Sequence, residues 1–590
     1  MILVQKIKYS LYPLFLLGLA YLLFMSNDAK IIIAGIAIFL IGMVFMEDGF
    51  KRFSGGFLEA LLRKSTDNTF KALLTGFIST SIVQSSSLIS IIMISFLGAE
   101  LITLAGAIGV IIGANLGTTT TAWIIATLGL KIKITQFALP LLIFGVVLRF
   151  HSNKSYQGFG DIFLGLGFVF LGISYMKDGF EVLRAGLDLS QFSMSGYFGA
   201  LVYIFLGVLA TVILQSSSAT MALIITALAT NQIVYINAIE LAIGANIGTT
   251  ITAVLGSLSS NANGKRLALA HFIFNIVTAS IAIAFLHPIS HLVQLIGVEI
   301  GIADDDYTMQ LALFHTLFNL IGVLSVAPFT KTLDRFLSQW FASKAKDISR
   351  ARFLDNEAVA LPEIALVALK KELIHLYDNS TEVISHSLSL HRHTFLGMGT
   401  DISKVVESSL HVIDLDIDDY YNRKIKILYG DIIQYATIAQ ENMVEEDKDR
   451  VYSFKIACRD IVESIKIAKE LQKNISRSLH SKNEHIQGEY NHLREEIAKV
   501  LDGIYTLRNS KRDDFDNLAN IKLLEDDLEQ FSSQRNKRLD NLIRNAYVET
   551  STATSLMNDG AFVYEISKKL LNVSKLLWIE HREIQKLGEE

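Results

Sequence analysis

Apolar residues dominate the first 340 positions in long runs: 11–25, 31–46, 101–114, 134–150, 162–176, 198–214, 267–286 and 309–328 each read as a helix apolar enough to lie in a bilayer. Several fall short of the roughly 20 residues of a straight span, which predicts tilted, broken or re-entrant segments. From about residue 341 the pattern changes to amphipathic helices with charged faces. Leu361-Pro362 opens the first long one, and breaks near 396–400, 481–488 and 509–516 predict a bundle. No strand-like alternation competes. The expected fold class is therefore all-α, a polytopic membrane domain over 1–340 and a water-facing helical domain over 341–590.

Polar residues interrupt the apolar half in a repeated way. Gln84-Ser85-Ser86-Ser87 and Gly113-Ala114-Asn115-Leu116-Gly117-Thr118-Thr119 return, 131 positions on, as Gln215-Ser216-Ser217-Ser218 and Gly244-Ala245-Asn246-Ile247-Gly248-Thr249-Thr250. Gly42–Phe50 likewise returns as Gly172–Phe180 at an offset of 130, so one structural unit occurs twice, at about 30–130 and 160–260. Between the copies, 131–160 reads as a helix containing Pro140 and then a polar linker, His151–Gly160. An odd number of crossings before the second copy makes the two inverted.

Four adjacent polar side chains cannot share one stripe of a regular helix, because each residue advances by about 100°. A helix break or hairpin tip lets them converge and frees backbone N–H groups. Serine hydroxyls and such N–H groups donate to an oxyanion, while Ser, Gln and carbonyl oxygens accept a hard cation, so the tip suits an anion and sodium side by side. The tetrads hold no charge, so an anion there requires co-bound cations and helix N-terminal dipoles as compensation. Polar clusters duplicated inside apolar stretches point to a solute crossing the membrane. The Gly-Ala-Asn-x-Gly-Thr-Thr segments offer cation ligands in one reading and close helix packing in the other. His271/Asn275 and His315/Asn319, each four apart on one helical face, read first as interhelical hydrogen bonds. Asp48 and Asp178 read as helix caps at a membrane boundary.

Charge divides the chain in the same place. Residues 1–340 carry 18 Lys/Arg and 16 Asp/Glu, and the rest carry 35 and 42, so a sparse half at net +2 precedes a dense half at net −7. The acidic tail argues against nucleic acid as a partner. Cys458 is the only cysteine, which excludes an intrachain disulfide and a thiolate metal cluster. The tail is placed in the cytoplasm and the first apolar run is read as an uncleaved helix. The absence of a Gly-x4-Gly-Lys-Ser/Thr loop argues against ATP-driven transport, and no His or Asp stands beside either serine cluster to make a hydrolase. The chain does not read as an enzyme.

The paired tetrads, the paired Gly-Ala-Asn-Ile/Leu-Gly-Thr-Thr segments and the residues between them resemble the sodium-dependent phosphate cotransporters, the type II sodium/phosphate symporters and their bacterial relatives, over roughly 30–330. The resemblance implies two inverted units, each with a re-entrant hairpin carrying its tetrad, in the cytoplasmic (inner) membrane. It implies sodium-coupled symport of inorganic phosphate by alternating access, with no organic cofactor. Phosphate is then expected at Gln84, Ser85, Ser86, Ser87, Gln215, Ser216, Ser217 and Ser218. Sodium is expected at Gln84, Ser87, Asn115, Thr118, Thr119, Gln215, Ser218, Asn246, Thr249 and Thr250. Residues 355–585 resemble the PhoU-like helical domain, which implies regulation through the tail and a surface there for a second copy or a cytoplasmic partner. Asp414/Asp418 and Glu445/Asp449 have the spacing of a metal-binding acidic pair, and also that of an ordinary solvated face. Two other readings stay open: a phosphate-sensing receptor without net flux, and a sodium-coupled transporter of another oxyanion, because hydroxyl cages discriminate weakly among tetrahedral anions.

Overall fold

The computed structural model describes residues 13–579 apart from 14–15, 22, 25, 55–60, 63–65, 67, 130–133, 187–189, 191–192, 195, 258–261, 341–349, 356–357 and 510–513. Every regular element among the described residues is helical. The chain divides into two compact units, Met1–Ser343 and Lys344–Glu590. Of the first apolar run, 11–25, residues 11–12, 14–15, 22 and 25 lie outside the described residues, and the others are helical.

The first unit begins with α1 (Asn27–Ser54), α2 (Thr69–Val83), α3 (Ser86–Gly98), α4 (Leu104–Gly117) and α5 (Thr119–Ile124), which runs on as a wider turn, Ile125–Gly129. It continues with α6 (Ile134–Arg149), α7 (Lys154–Gly186), α8 (Gly196–Leu214), α9 (Ser217–Ala229) and α10 (Tyr235–Ser257). The last long helices are α11 (Ala262–Ala284), α12 (Leu286–Glu299) and α13 (Tyr307–Val326). Six segments among the described residues are long and apolar enough to cross a membrane: Ala29–Arg52, Leu104–Thr127, Lys154–Arg184, Gly196–Leu214, Ala262–Ala284 and Tyr307–Ser338. Ala29–Arg52 and Gly196–Leu214 leave most of their apolar residues unburied, the reverse of a water-soluble helix. In α8 the large residues Tyr197, Phe198, Leu201, Phe205, Leu209 and Ile213 face outward while Gly199, Ala200, Gly207 and Thr211 are buried, so small residues make the helix contact and apolar ones meet the acyl chains.

Glycine sets how closely the copies pack. A Cβ on Gly76 or Gly113 would lie 2.0 Å from the carbonyl oxygens of Val110 and Leu73, so α2 and α4 touch backbone to backbone. In the second copy Gly207 and Gly244 meet Leu241 and Ile204 of α10 and α8 in the same manner, at 2.2 and 2.0 Å. The equivalent helices α1 and α7 run antiparallel along each other with reciprocal contacts. Gly35 packs on Gly172 and Gly42 on Gly165, and the offset of 130 converts each pair into the other. Gly49 meets Ile162 just as Gly179 meets Ile32.

Two local expectations change. The polar linker ends early, because the Asn153 side chain accepts from Ser155 N (2.8 Å) and its carbonyl from Gln157 N (3.1 Å), which starts α7 at Lys154 and leaves only 150–153 between helices. Gly158 and Gly160, read as loop residues, lie inside α7, where the Gly158 carbonyl packs against Gly49 of α1 and Gly160 against Arg149 of α6. Asp48 and Asp178 do not cap helices: both lie inside α1 and α7, and Asp48 sits 3.7 Å from Lys51 one turn on.

In the second unit α14 (Pro362–Ser387), α15 (Lys426–Ala439), α16 (Glu445–Ser478), α17 (Glu484–Asn509), α18 (Asp514–Arg544) and α19 (Thr550–Trp578) enclose one apolar core. The loop chain between α14 and α15 is pinned by Arg494, whose buried guanidinium donates to the carbonyls of Leu388 (2.8 Å), Val406 (3.1 Å) and Ser409 (2.8 Å). Burial lowers this guanidinium to about 10, still protonated at neutral pH. Of the acidic pairs, Asp418 meets Lys469 (2.7 Å) and Glu445 meets Lys448 (2.7 Å), the contacts of a solvated face. Among the described residues no group of three or more His, Cys, Asp or Glu side chains is placed to hold a metal ion.

Candidate transport site

Both tetrads fall at helix breaks of one design. Gln84 closes α2 in the left-handed region (φ 59°), with its N–H on the Thr80 carbonyl at 2.7 Å, and Ser85 caps α3 by accepting from Leu88 N at 3.2 Å. Gln215 repeats the left-handed turn (φ 52°) after α8, and Ser216 caps α9 by accepting from Ala219 N at 3.1 Å. Each tetrad thus sits where an apolar helix begins, with the unpaired N–H groups and the positive end of the helix dipole beside it. The three serines of each copy occupy the cap and the first turn of that helix.

The two breaks meet through one threonine. Thr121 of α5 donates to Gln84 Oε1 at 2.7 Å, and its Oγ1 lies 3.5 Å from Ser218 Oγ of the second tetrad. Gln84 Nε2 donates to Thr120 Oγ1 at 2.9 Å and to the Ser81 carbonyl, so the buried amide is held at both ends. In the second copy Gln215 is exposed, and the position equivalent to Thr120 is Ile251, which offers no acceptor. Ser86 and Ser218 are buried, Ser87 is exposed, and Ser85, Ser216 and Ser217 are half-buried.

The other predicted ligands are more committed. Asn115 Nδ2 donates to Asn275 Oδ1 (2.9 Å), and its Oδ1 accepts from His271 Nε2 (3.1 Å), so both ends of the amide tie α4 to α11. Asn246 Nδ2 ties α10 to Asn319 of α13 in the same way (3.0 Å). This geometry assigns Asn115 to helix packing, because a buried amide with both ends hydrogen-bonded gives those bonds up only at a cost. Thr118, Thr119, Thr249 and Thr250 each donate to a carbonyl of the preceding turn, at 2.6, 2.8, 3.2 and 2.7 Å, which leaves their oxygen lone pairs undonated but fixes the side chains on their own helices.

Three participants escape a reading of motifs. Thr120 and Thr121 simply prolong the threonine run, and only the second copy's Ile251 hints that position 120 is special. Glu47 comes from 38 positions away: its Oε2 accepts from Ser85 Oγ at 3.1 Å and its Oε1 pairs with Lys51 at 2.9 Å. The tetrads hold no charged residue, but the fold places a carboxylate against the first of them.

Paired helix breaks carrying polar caps, on a scaffold of apolar glycine-packed helices, define a multi-pass membrane protein. Residues 38–178 and 190–303 match the model of the Na+/Pi-cotransporter family. The chain is 26% identical over 357 residues to the Salmonella typhimurium "Putative inorganic phosphate export protein YjbB", covering 59% of this chain and 62% of that protein. Against the protein of the same name in Escherichia coli K12 it is 26% identical over 430 residues, 71% of this chain and 73% of the other. It is 29% identical over 307 residues to the "Uncharacterized protein YqeW" of Bacillus subtilis, 51% of this chain and 94% of the relative. No solved structure matches the chain.

Proposed function

We propose that this protein moves inorganic phosphate across the cytoplasmic membrane together with sodium, by alternating access around the two tetrads. The observation that carries the reading is the junction of the two helix breaks, Gln84 to Thr121 to Ser218, which brings equivalent polar turns from both copies to one place. Phosphate oxygens there meet the hydroxyls and first-turn N–H groups of Ser85–Ser87 and Ser216–Ser218. Sodium takes oxygens from Gln84, Ser87, Gln215, Ser218 and the threonines that follow the asparagines. Each ion lowers the cost of dehydrating the other, and this is the physical origin of coupling.

The reciprocal α1 and α7 contacts support an inverted pair of units, since helices related by an offset of 130 lie antiparallel. In that arrangement each tetrad turn is a re-entrant tip, and rocking one unit on the other opens the site to alternate sides. The second unit is proposed to be a PhoU-like cytoplasmic domain that regulates flux. The relatives named for phosphate export make direction a separate question. Purified protein in liposomes loaded with radiolabelled phosphate tests both: flux should rise with an imposed sodium gradient and reverse with it. Flux indifferent to sodium rejects the coupling, and stronger inhibition by sulfate than by arsenate moves the substrate to another oxyanion.

A further inference from the structure

The second unit holds a cavity of about 350 Å³, at the lower end of the range for small-molecule sites, about 300–1,000 Å³. Leu501, Ile504, Tyr505 and Arg508 follow the helical repeat on one face of α17 and form one wall. Tyr377 and Asp378 of α14 form a second, and the loop that follows α14 supplies a third with Arg392, His393, Leu396 and Met398. Gly397 lays that loop on α17: its N–H donates to Asp502 Oδ1 at 2.6 Å, and a Cβ there would lie 2.2 Å from the Tyr505 ring. Its φ of 68° is a second reason for glycine.

The lining combines two chemistries. Aliphatic side chains and two tyrosine rings make most of it apolar, while Arg392, His393 and Arg508 outnumber its one carboxylate, Asp378. Arg508 pairs with Asp378 through both guanidinium nitrogens, Nη2 to Oδ2 at 3.2 Å, and lies over the Trp578 ring at 5.8 Å. Arg392 has Nε 2.5 Å from Glu382 and Nη1 3.5 Å from the Asp378 carbonyl, so its Nη2 keeps its donors. The His393 ring stacks on His391 at 5.3 Å and makes no hydrogen bond among the described residues. An inorganic oxyanion would fill a small part of a space equal to roughly a dozen waters, and would gain nothing from apolar walls. An organic anion with a flat ring uses both: the ring on the tyrosines and aliphatic side chains, the acidic group on Arg392 and His393. Asp378 keeps lone pairs for a sugar hydroxyl.

We propose that this cavity is a nucleotide site, which takes a ribonucleoside monophosphate with its base on the tyrosine and aliphatic walls and its phosphate on Arg392 and His393. The nucleotide joins α14, α17 and the loop that Gly397 lays between them, so the bound form of the unit is the more stable one. The site lies wholly within the second unit, and its occupancy does not depend on sodium-coupled phosphate transport.

Equilibrium dialysis of the full chain in detergent against radiolabelled AMP, GMP, CMP and UMP tests this without requiring flux. At least one should bind saturably, its nucleoside should bind roughly tenfold or more weakly, and inorganic phosphate should displace it only at about a hundredfold excess or more. Arg392→Gln should weaken the nucleotide roughly tenfold, the loss of one charged contact, and leave the nucleoside within about twofold. Arg392→Lys should recover part of that loss, which separates charge from misfolding. Met398→Asp, at an exposed position of the lining, sets a carboxylate beside the phosphate and should weaken the nucleotide more than the nucleoside. Saturable binding by none of the four nucleotides overturns the proposal. So does a nucleoside that binds as tightly as its nucleotide, displacement by equimolar phosphate, or wild-type affinity in Arg392→Gln.

Discussion

At the scale of single residues, one threonine joins the two tetrad turns. Thr121 is the hinge of that link, since its one proton goes to Gln84 Oε1 and its oxygen faces Ser218. Thr121→Val keeps the volume and removes the hydroxyl, which leaves the buried amide oxygen of Gln84 unpaired at a cost of about 1–3 kcal/mol. Phosphate flux in liposomes should fall about tenfold or more on this scale, while Thr121→Ser should retain most of it. Normal flux in Thr121→Val would show that the junction is not part of the transport path. Thr120→Ile, which copies the second unit's residue, should remove one of the two acceptors of Gln84 Nε2 and leave only the Ser81 carbonyl; a lower sodium affinity is the expected reading.

At the scale of helices the membrane unit is held by backbone contact, and glycine is what permits it. Gly113→Ala places a methyl group 2.0 Å from the Leu73 carbonyl, and Gly244→Ala does the same to Ile204, so α2 or α8 must move away from its partner. Both variants should lose most of their monodisperse peak in detergent size-exclusion chromatography. Gly297→Ala is the control: its nearest atom lies at 3.7 Å, an ordinary contact, and it should behave as wild type. These elements also show what a sequence can disclose. The repeat, the breaks at Gln84 and Gln215 and the opening of α14 at Pro362 were legible, because duplication, four adjacent polar residues in an apolar run and a proline at a helix start each carry a local physical cost with one solution. The Glu47 to Ser85 contact and the Asn115 to Asn275 tie were not, since they join residues 38 and 160 positions apart and depend on which helices become neighbours. The caps assigned to Asp48 and Asp178 failed for a related reason: in both copies the helix runs on past an acid that local rules would place at its start.

At the scale of the whole chain, the two units differ in what they bury and should answer differently to heat and pH. In the second unit Glu496 is buried in α17, and loss of solvent holds its carboxyl up to about 7, with Asp527 and Glu495 adding to the effect and Lys499 opposing it. The folded unit therefore keeps a proton there that the unfolded chain releases near the ordinary carboxylate range. Stability from this group is fully present below the unfolded value, falls as pH rises between about 4.5 and 7, and is flat above. A shift of this size corresponds to about 3 kcal/mol at most between the two ends of that window. Differential scanning calorimetry of the purified protein should resolve a transition for this unit. In Glu496→Gln it should lie roughly 5 °C or more above wild type at pH 8, on the usual scale for a domain of this length, and coincide with wild type at pH 5. The lower-window coincidence matters most: the glutamine mimics the protonated acid, so a gain of equal size at both pH values would mean that the substitution repairs packing and that the buried carboxyl carries no proton-linked cost.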